Sequence, residues 1–317
     1  MGRWPRLQGG VSVTHQPRVI RSLVFVPAHD PDRILAAAAM GADAVGLDLE
    51  DLTPGPDKQR ARELFRSMAR ELSAKGVTVM ARTNGFANGM CEADLDAVVC
   101  PELHCCNIPK VSSAEDVTRF AALLADAERR HGLAAGGILL RPVVETAAGV
   151  RSAYEIASAS ALVAYMGGVA GGFWGDLGAS MGLIASPQAT ESLYLRSKVL
   201  VDVRAAGVPF PVGGGASADK DPDVVRRFAQ ENRHLGYTGS FTHANPAEIA
   251  IVNEVFTPTV EQIAEWQAIL PELEKARDEG TIVVTINGRL YDAAGIPRVR
   301  DQLALAERLG LTGLSAP

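Results

Sequence analysis

In the stretch RPVVETAAGV, residues 141–150, a buried-looking apolar run ends in Glu145 instead of continuing apolar. Other short runs end the same way. GLDLED closes with Asp48, Glu50 and Asp51, ARTNG supplies Arg82 and Asn84, and NIPKV supplies Lys110. GFWGDLGAS carries Asp176, and the run from Gly239 ends in His243, with Asn245 beyond it. Taken singly these residues have ordinary readings. Asp176 suits a helix N-cap, Asp51 a turn before Pro54-Gly55-Pro56, Arg82 and Lys110 a solvated rim, and His243 a hydrogen-bonded rim histidine. Taken together, carboxylates gathered at one mouth would repel and raise each other's pKa. A bound divalent cation relieves that repulsion. The candidate ligands are all oxygen donors, which suits a hard ion, Mg2+ first and Mn2+ as a substitute.

The elements that must position these side chains alternate in type. Strands are expected at Ser22–Pro27, Ala44–Leu49, Thr78–Arg82, Cys105–Pro109, Ile138–Val144, Leu162–Met166, Val208–Val212 and Gly239–His243. Helical stretches fall between most of them: Pro31–Met40, Lys58–Ala74, Ala114–Arg130, Arg151–Ala159, Ser192–Ala206 and Pro222–Leu235. Gly132, Gly207 and Gly236 stop three of these helices. Eight strand–helix units predict a closed (β/α)8 TIM barrel. The rival, a doubly wound open sheet, lacks its GxGxxG after the first strand. Active sites of such barrels lie at the C-terminal ends of the strands, where the polar endings fall. Glu145 then ends a buried strand because it holds a metal over the barrel mouth.

After residue 250 the alternation fades. A helix is expected over Glu261–Glu279. TIVVTINGRLYD places Asn287-Gly288 between alternating apolar residues, a strong hairpin signal. A last helix, Val299–Leu309, follows. The organisation is therefore a tail over 1–18, a barrel over 19–260, and a small hairpin–helix extension over 261–317 that can serve as a lid.

The 317 residues carry a net charge of −6 with both signs well mixed, which argues against a nucleic-acid surface. The uncharged stretch Ile156–Gly175 is rich in Ser, Ala and Gly, and reads as a short strand and a glycine loop rather than a membrane span. Cys91, Cys100, Cys105 and Cys106 form no CxxC. His104 and Cys105 would face opposite ways in a strand, so zinc is not expected and the thiols read as buried and reduced. Residues 1–18 show no apolar signal region, and the expected location is cytoplasmic.

The same residues carry a family resemblance. RSLVFVPAHDPDRILAAAAMGADAVGLDLEDLTPGPDK, ARTNG, IPKV, VVETAAGV, GDLGASMGL and GYTGSFTHANPAEIAIVNEVFTP appear in the order found in the HpcH/HpaI aldolase/citrate lyase family. The chain resembles in particular its citrate lyase β-subunit-like and malyl-CoA lyase branch. The resemblance implies a TIM barrel, usually a homotrimer or hexamer, and Glu145 and Asp176 as magnesium ligands. It implies Arg82 as the arginine that binds substrate and stabilises an enolate, with Glu50 and Asp51 as an acidic pair behind the metal. The backbone around Trp174, Gly175 and Asp176 would hold the 2-oxo acid carboxylate, and Lys110 is structural or orients substrate. GRLYDAAGIPRV matches a segment whose aspartate serves a neighbouring subunit's site as acid/base, here Asp292. The implied activity is cleavage or formation of a 3-hydroxyacyl-CoA, such as malyl-CoA or citramalyl-CoA, from a 2-oxo acid and an acyl-CoA. Two alternatives share the site: an aldolase of free 4-hydroxy-2-oxo acids, and a citrate lyase β-like subunit that needs a partner. Ser240, Thr242 and Glu248 depart from the family's common Lys, Ile and Gln.

Overall fold

The structure is a computed structural model that describes residues 16–168, 176–184, 186, 188–216 and 221–311. Eight parallel strands close into a barrel: β1 Ser22–Pro27, β2 Ala44–Asp48, β3 Thr78–Arg82, β4 Leu103–Ile108, β5 Leu139–Val144, β6 Tyr165–Gly168, β7 Phe210–Gly213 and β8 Gly239–Thr242. Closure is made by β1 against β8, where Leu23 meets Phe241. The TIM barrel expected from the alternation is the fold observed. At the closing seam a Cβ on Gly239 would lie 1.8 Å from the Ile20 carbonyl oxygen, so only glycine allows this backbone approach.

The helices cover the barrel with one apolar face each. Lys58–Ala74 buries Ala61, Phe65, Ala69 and Leu72 at helical spacing. Full burial of Phe65 alone stabilises by roughly 2–3 kcal/mol. Ala114–Arg130 starts at a capping box in which Ser113 and Asp116 satisfy each other's backbone N–H, a device worth about 1 kcal/mol. Gly236 ends Pro222–Leu235 in a left-handed conformation, φ 116°.

Three local expectations are corrected. A helix over Cys91–Val98 lies between β3 and β4. Its eight residues are too short and too weakly patterned to stand out in sequence. The helix expected over Arg151–Ala159 is instead Ala147–Arg151 and Ala153–Ser158, broken at Ser152. The sixth strand begins at Tyr165, because Leu162 and Val163 belong to the approach and Val163 makes only an isolated bridge to Leu140.

The register between β3 and β4 shifts after Val79, which pairs with Leu103, so that Met80 pairs with Cys105 and His104 is passed over. His104 Nε2 lies 2.9 Å from the Tyr165 hydroxyl, which also donates to the Arg18 carbonyl. All four cysteines are free and buried. Among the described residues no helix is long and apolar enough to cross a membrane.

The chain divides into two compact units, with the boundary between Phe256 and Thr257. In the second unit, helices Val260–Asp278 and Ile296–Arg308 enclose Ile269, Leu273, Ile296 and Val299. A hairpin of β9 Val283–Ile286 and β10 Arg289–Asp292 joins them. Its turn is Asn287-Gly288, both with positive φ (50° and 75°), as a two-residue hairpin with the sheet's own twist requires.

Candidate active site

Register builds a polar row across four adjacent strands just below the C-terminal mouth. Asp48 on β2 is level with Arg82 on β3, Arg82 with Asn107 on β4, and Asn107 with Arg141 on β5. Parallel strands place residues of one register on the same face. Asp48 is fully buried. Its two oxygens accept from Arg82 Nε at 2.9 Å and Nη2 at 2.6 Å, and also from the N–H groups of Glu50 and Leu52. A bidentate, charge-assisted pair of this kind fixes the guanidinium plane. Burial works against the Arg82 charge, but the Asp48 hydrogen bonds together with the charges of Asp48, Glu50 and Asp51 outweigh it and hold the pKa above its ordinary value. A solvated rim charge is therefore not what Arg82 is.

Above the row stands the acidic mouth. Arg82 Nη1 lies 3.3 Å from Glu50 Oε2 and 4.0 Å from Asp51 Oδ2. The ammonium of Lys110 sits among three carboxylates, 3.1 Å from Glu50, 3.5 Å from Asp51 and 3.1 Å from Asp176. Desolvation opposes its charge, yet hydrogen bonds to Glu50 and Asp176 raise its pKa. The Lys110 backbone is left-handed, φ 53°, and its N–H donates to Glu145 Oε1 at 2.9 Å. Burial pushes Glu50 up to about 7 and is only partly offset by Arg82. Burial also raises Glu145, against the Lys110 N–H that favours its charged form.

Further residues hold the mouth in place. Lys58 Nζ donates to the carbonyls of Leu49 and Glu50 and to Asn84 Oδ1. Asn84 Nδ2 bonds the Leu49 carbonyl and Asp94. An aromatic run leads from Arg82 to β8. The guanidinium lies 5.1 Å from the centre of the Phe25 ring, Phe25 stacks on Phe241, and Phe241 meets His243 edge-on. His243 Nδ1 is 3.2 Å from Glu248, whose hydrogen bond raises the imidazole pKa.

Glu50, Asp51, Arg82, Lys110, Glu145 and Asp176 thus come together in the barrel unit. Asp176 begins the short helix Asp176–Met181. Trp174 and Gly175 lie outside the described residues. Asp292 belongs to the second unit, at the end of β10, where its carboxylate accepts the Ala294 N–H. The partners that sequence reading left out are Asp48 as Arg82's anchor, Lys58, Asn107 and Arg141. For three of them the signal was present: Asp48 ends the apolar run before Glu50 and Asp51, and Asn107 and Arg141 are polar residues inside apolar runs.

The donors at this mouth are hard oxygens, and carboxylates outnumber cationic side chains. Glu50 Oε2 is buried and has no hydrogen-bond partner. Among the described residues no group of three or more metal-ligating side chains is already spaced to hold an ion, and the Lys110 ammonium stands among the carboxylates of Glu50, Asp51 and Asp176. The character of the donors, and a buried carboxylate oxygen that has the Arg82 ion pair but no hydrogen bond, fit a divalent cation.

The sequence matches the HpcH/HpaI aldolase/citrate lyase family over residues 21–246, and the chain belongs to that family, a group of carbon–carbon lyases and related enzymes. It is 29% identical to the citrate lyase subunit beta of Leuconostoc mesenteroides, over 91% of this chain and 94% of that one. It is 28% identical to a (3S)-malyl-CoA thioesterase of Cereibacter sphaeroides, over 94% of this chain and 98% of that one. Among solved structures it resembles protein CitE from Mycobacterium tuberculosis in complex with magnesium, acetoacetate and coenzyme A. The TM-score is 0.69 at 23% identity, covering 91% of this chain and 98% of that one.

Proposed function

We propose that this chain is a Mg2+-dependent lyase that cleaves or forms a 3-hydroxyacyl-CoA, such as malyl-CoA or citramalyl-CoA, with a 2-oxo acid and an acyl-CoA as the other side of the reaction. The observation that carries the proposal is the gathering of Glu50, Asp51 and Asp176 around one cation beside the anchored Arg82. The relative named for malyl-CoA and the similar structure that contains magnesium and coenzyme A support the same reading.

In this reading Glu145 and Asp176 hold the magnesium, and Glu50 and Asp51 stand behind it. Bound there, the ion would act as a Lewis acid on the oxo-acid oxygens. Arg82, held rigid by Asp48, stabilises the charge that develops on the enolate of the acyl half, where little water reaches. Lys110 releases part of its acidic surroundings and orients the oxo-acid carboxylate, which the backbone of Trp174 and Gly175 also receives. Asp292 moves the proton at the enolate carbon, acting from its extension on a neighbouring copy's site in a homotrimer or hexamer. Manganese replaces magnesium with the same ligands.

The test is to mix the purified chain and Mg2+ with acetyl- or propionyl-CoA and each of glyoxylate, pyruvate and oxaloacetate, then to search by mass spectrometry for the condensed CoA ester or its hydrolysis product. A product that disappears with EDTA supports the lyase. Turnover of free 4-hydroxy-2-oxo acids without any CoA product would favour the aldolase instead. Inactivity cured only by an acyl-carrying partner would favour the subunit reading.

A further inference from the structure

Arg141 differs from the other deeply buried arginine of the described residues. Arg196, 1% exposed, has a carboxylate partner: Glu231 lies 3.0 Å from its Nη2, and Ser192 and Asn232 accept from its other nitrogens. Arg141 is 3% exposed, and its Nη1 donates to the neutral Asn107 Oδ1 at 3.1 Å. Its Nε is buried with no hydrogen-bond partner. Buried charges in proteins are normally paired, because the loss of hydration is otherwise uncompensated. Burial lowers the Arg141 pKa only to about 10, with the charge of Glu145 working against the fall. The side chain is thus a desolvated cation at neutral pH, short of acceptors.

Its place in the barrel says what could supply them. Arg141 ends the polar row Asp48–Arg82–Asn107–Arg141, directly under the acidic mouth, and it senses the charges of both Glu145 and Arg82. Arg82 cannot serve an added anion with the same edge, since its Nε and Nη2 are both committed to Asp48. A guanidinium with an idle Nε edge matches the planar fork of a carboxylate.

We propose that Arg141 is a specificity residue that binds a second carboxylate on the oxo-acid half of the substrate, so that 2-oxo dicarboxylic acids are preferred to monocarboxylic ones. The assignment rests on the lyase reading above for the placement of the first carboxylate, and within that reading it points to the ester formed with oxaloacetate rather than to malyl-CoA or citramalyl-CoA, whose oxo acids are monocarboxylic. Asn107 is the positioning residue: it holds Nη1 through its carbonyl and is itself fixed by donating Nδ2 to the Ala81 carbonyl at 2.8 Å.

The experiment compares the wild-type chain with Arg141→Met and Arg141→Lys. Condensation is measured with one acyl-CoA and either oxaloacetate or pyruvate. The wild type should favour oxaloacetate in kcat/KM by at least about tenfold, the range expected of one charged hydrogen-bonded contact. Arg141→Met should lose that preference mainly through KM and keep pyruvate within about threefold. Its melting temperature should equal or exceed that of the wild type, because an unpaired buried charge is gone; Arg141→Lys should recover part of the preference. Equal losses with both oxo acids, or a wild type indifferent to the second carboxylate, would overturn the proposal. A wild type that turns over glyoxylate but neither of these acids also overturns it; if it turns over none of the three, the lyase reading fails, and Arg141 is judged by calorimetric titration of malonate in EDTA. Malonate binding at least about tenfold tighter to wild type than to Arg141→Met sustains the site; equal or absent binding overturns it.

Discussion

Asp48 grips Arg82 by two nitrogens, at 2.9 and 2.6 Å, while remaining fully buried itself. The pair spans β2 and β3 at one register and aims the remaining nitrogen, Nη1, at the acidic mouth 3.3 Å from Glu50. A catalytic cation that must meet developing charge without reorganising needs this kind of anchorage.

Replacing Asp48 by Asn keeps the shape and removes the charge that orients Arg82. Turnover should fall by roughly 10–100-fold, the range typical for partners that hold a functional group in place. Magnesium affinity, measured by calorimetry, should change by less than about threefold. A variant with full kcat would show that Arg82 does not depend on its anchor.

The four thiols lie in surroundings that disfavour the thiolate. Burial pushes Cys91 up to about 12 and Cys100 up to about 11, and raises Cys105 and Cys106 as well. Thiolate is the reactive form. At pH 8 the native protein should therefore leave Ellman's reagent almost unchanged over minutes, and four equivalents should react in guanidinium chloride. Fast reaction of any thiol in the native state would contradict the burial described.

His243 gains its raised pKa from Glu248, with desolvation opposing. The sign follows from the protonated form being favoured in the folded state. The contribution to stability is complete below the unfolded histidine pKa of about 6.5, and it is lost as pH rises through the folded value. Glu248→Gln should move the His243 NMR titration down toward the ordinary value. The stability gap between variant and wild type should be larger at pH 5.5 than at pH 9. A titration unmoved by the substitution would remove Glu248 as the cause.

At the barrel seam, Gly239→Ala forces a methyl to 1.8 Å from the Ile20 carbonyl, and backbone cannot yield as a flexible side chain can. The variant should lose several kcal/mol, enough to prevent folding in a domain of ordinary stability. Gly288→Ala meets no atom within 4 Å but keeps φ at 75°, so it should cost only about 1 kcal/mol and act on the extension. Circular dichroism melts of the two variants separate these outcomes.

Much of the barrel could be read from the chain because local signals and tertiary needs agree there. Lys58–Ala74 and Ala114–Arg130 are helices with long apolar faces, and β2 and β3 are short apolar runs ended by Asp48 and Arg82. The strand ends that supply Glu50, Asp51, Arg82, Lys110 and Glu145 were visible for the same reason. The pairings were not. That Arg82 answers to Asp48 depends on the register of β2 against β3, and that Arg141 lacks a carboxylate depends on what the neighbouring strands happen to carry. The shift that passes over His104 is likewise set between strands and not within one.

The most direct test of the account is the metal dependence of turnover in wild type, Glu145→Gln and Asp176→Ala, each assayed with saturating acyl-CoA and oxo acid across a range of Mg2+ and again in EDTA. The account predicts wild-type activity that titrates with Mg2+, vanishes in EDTA and returns with Mn2+, and turnover reduced at least about a thousandfold in both variants at any metal concentration. Full activity of Asp176→Ala in the presence of EDTA would contradict it.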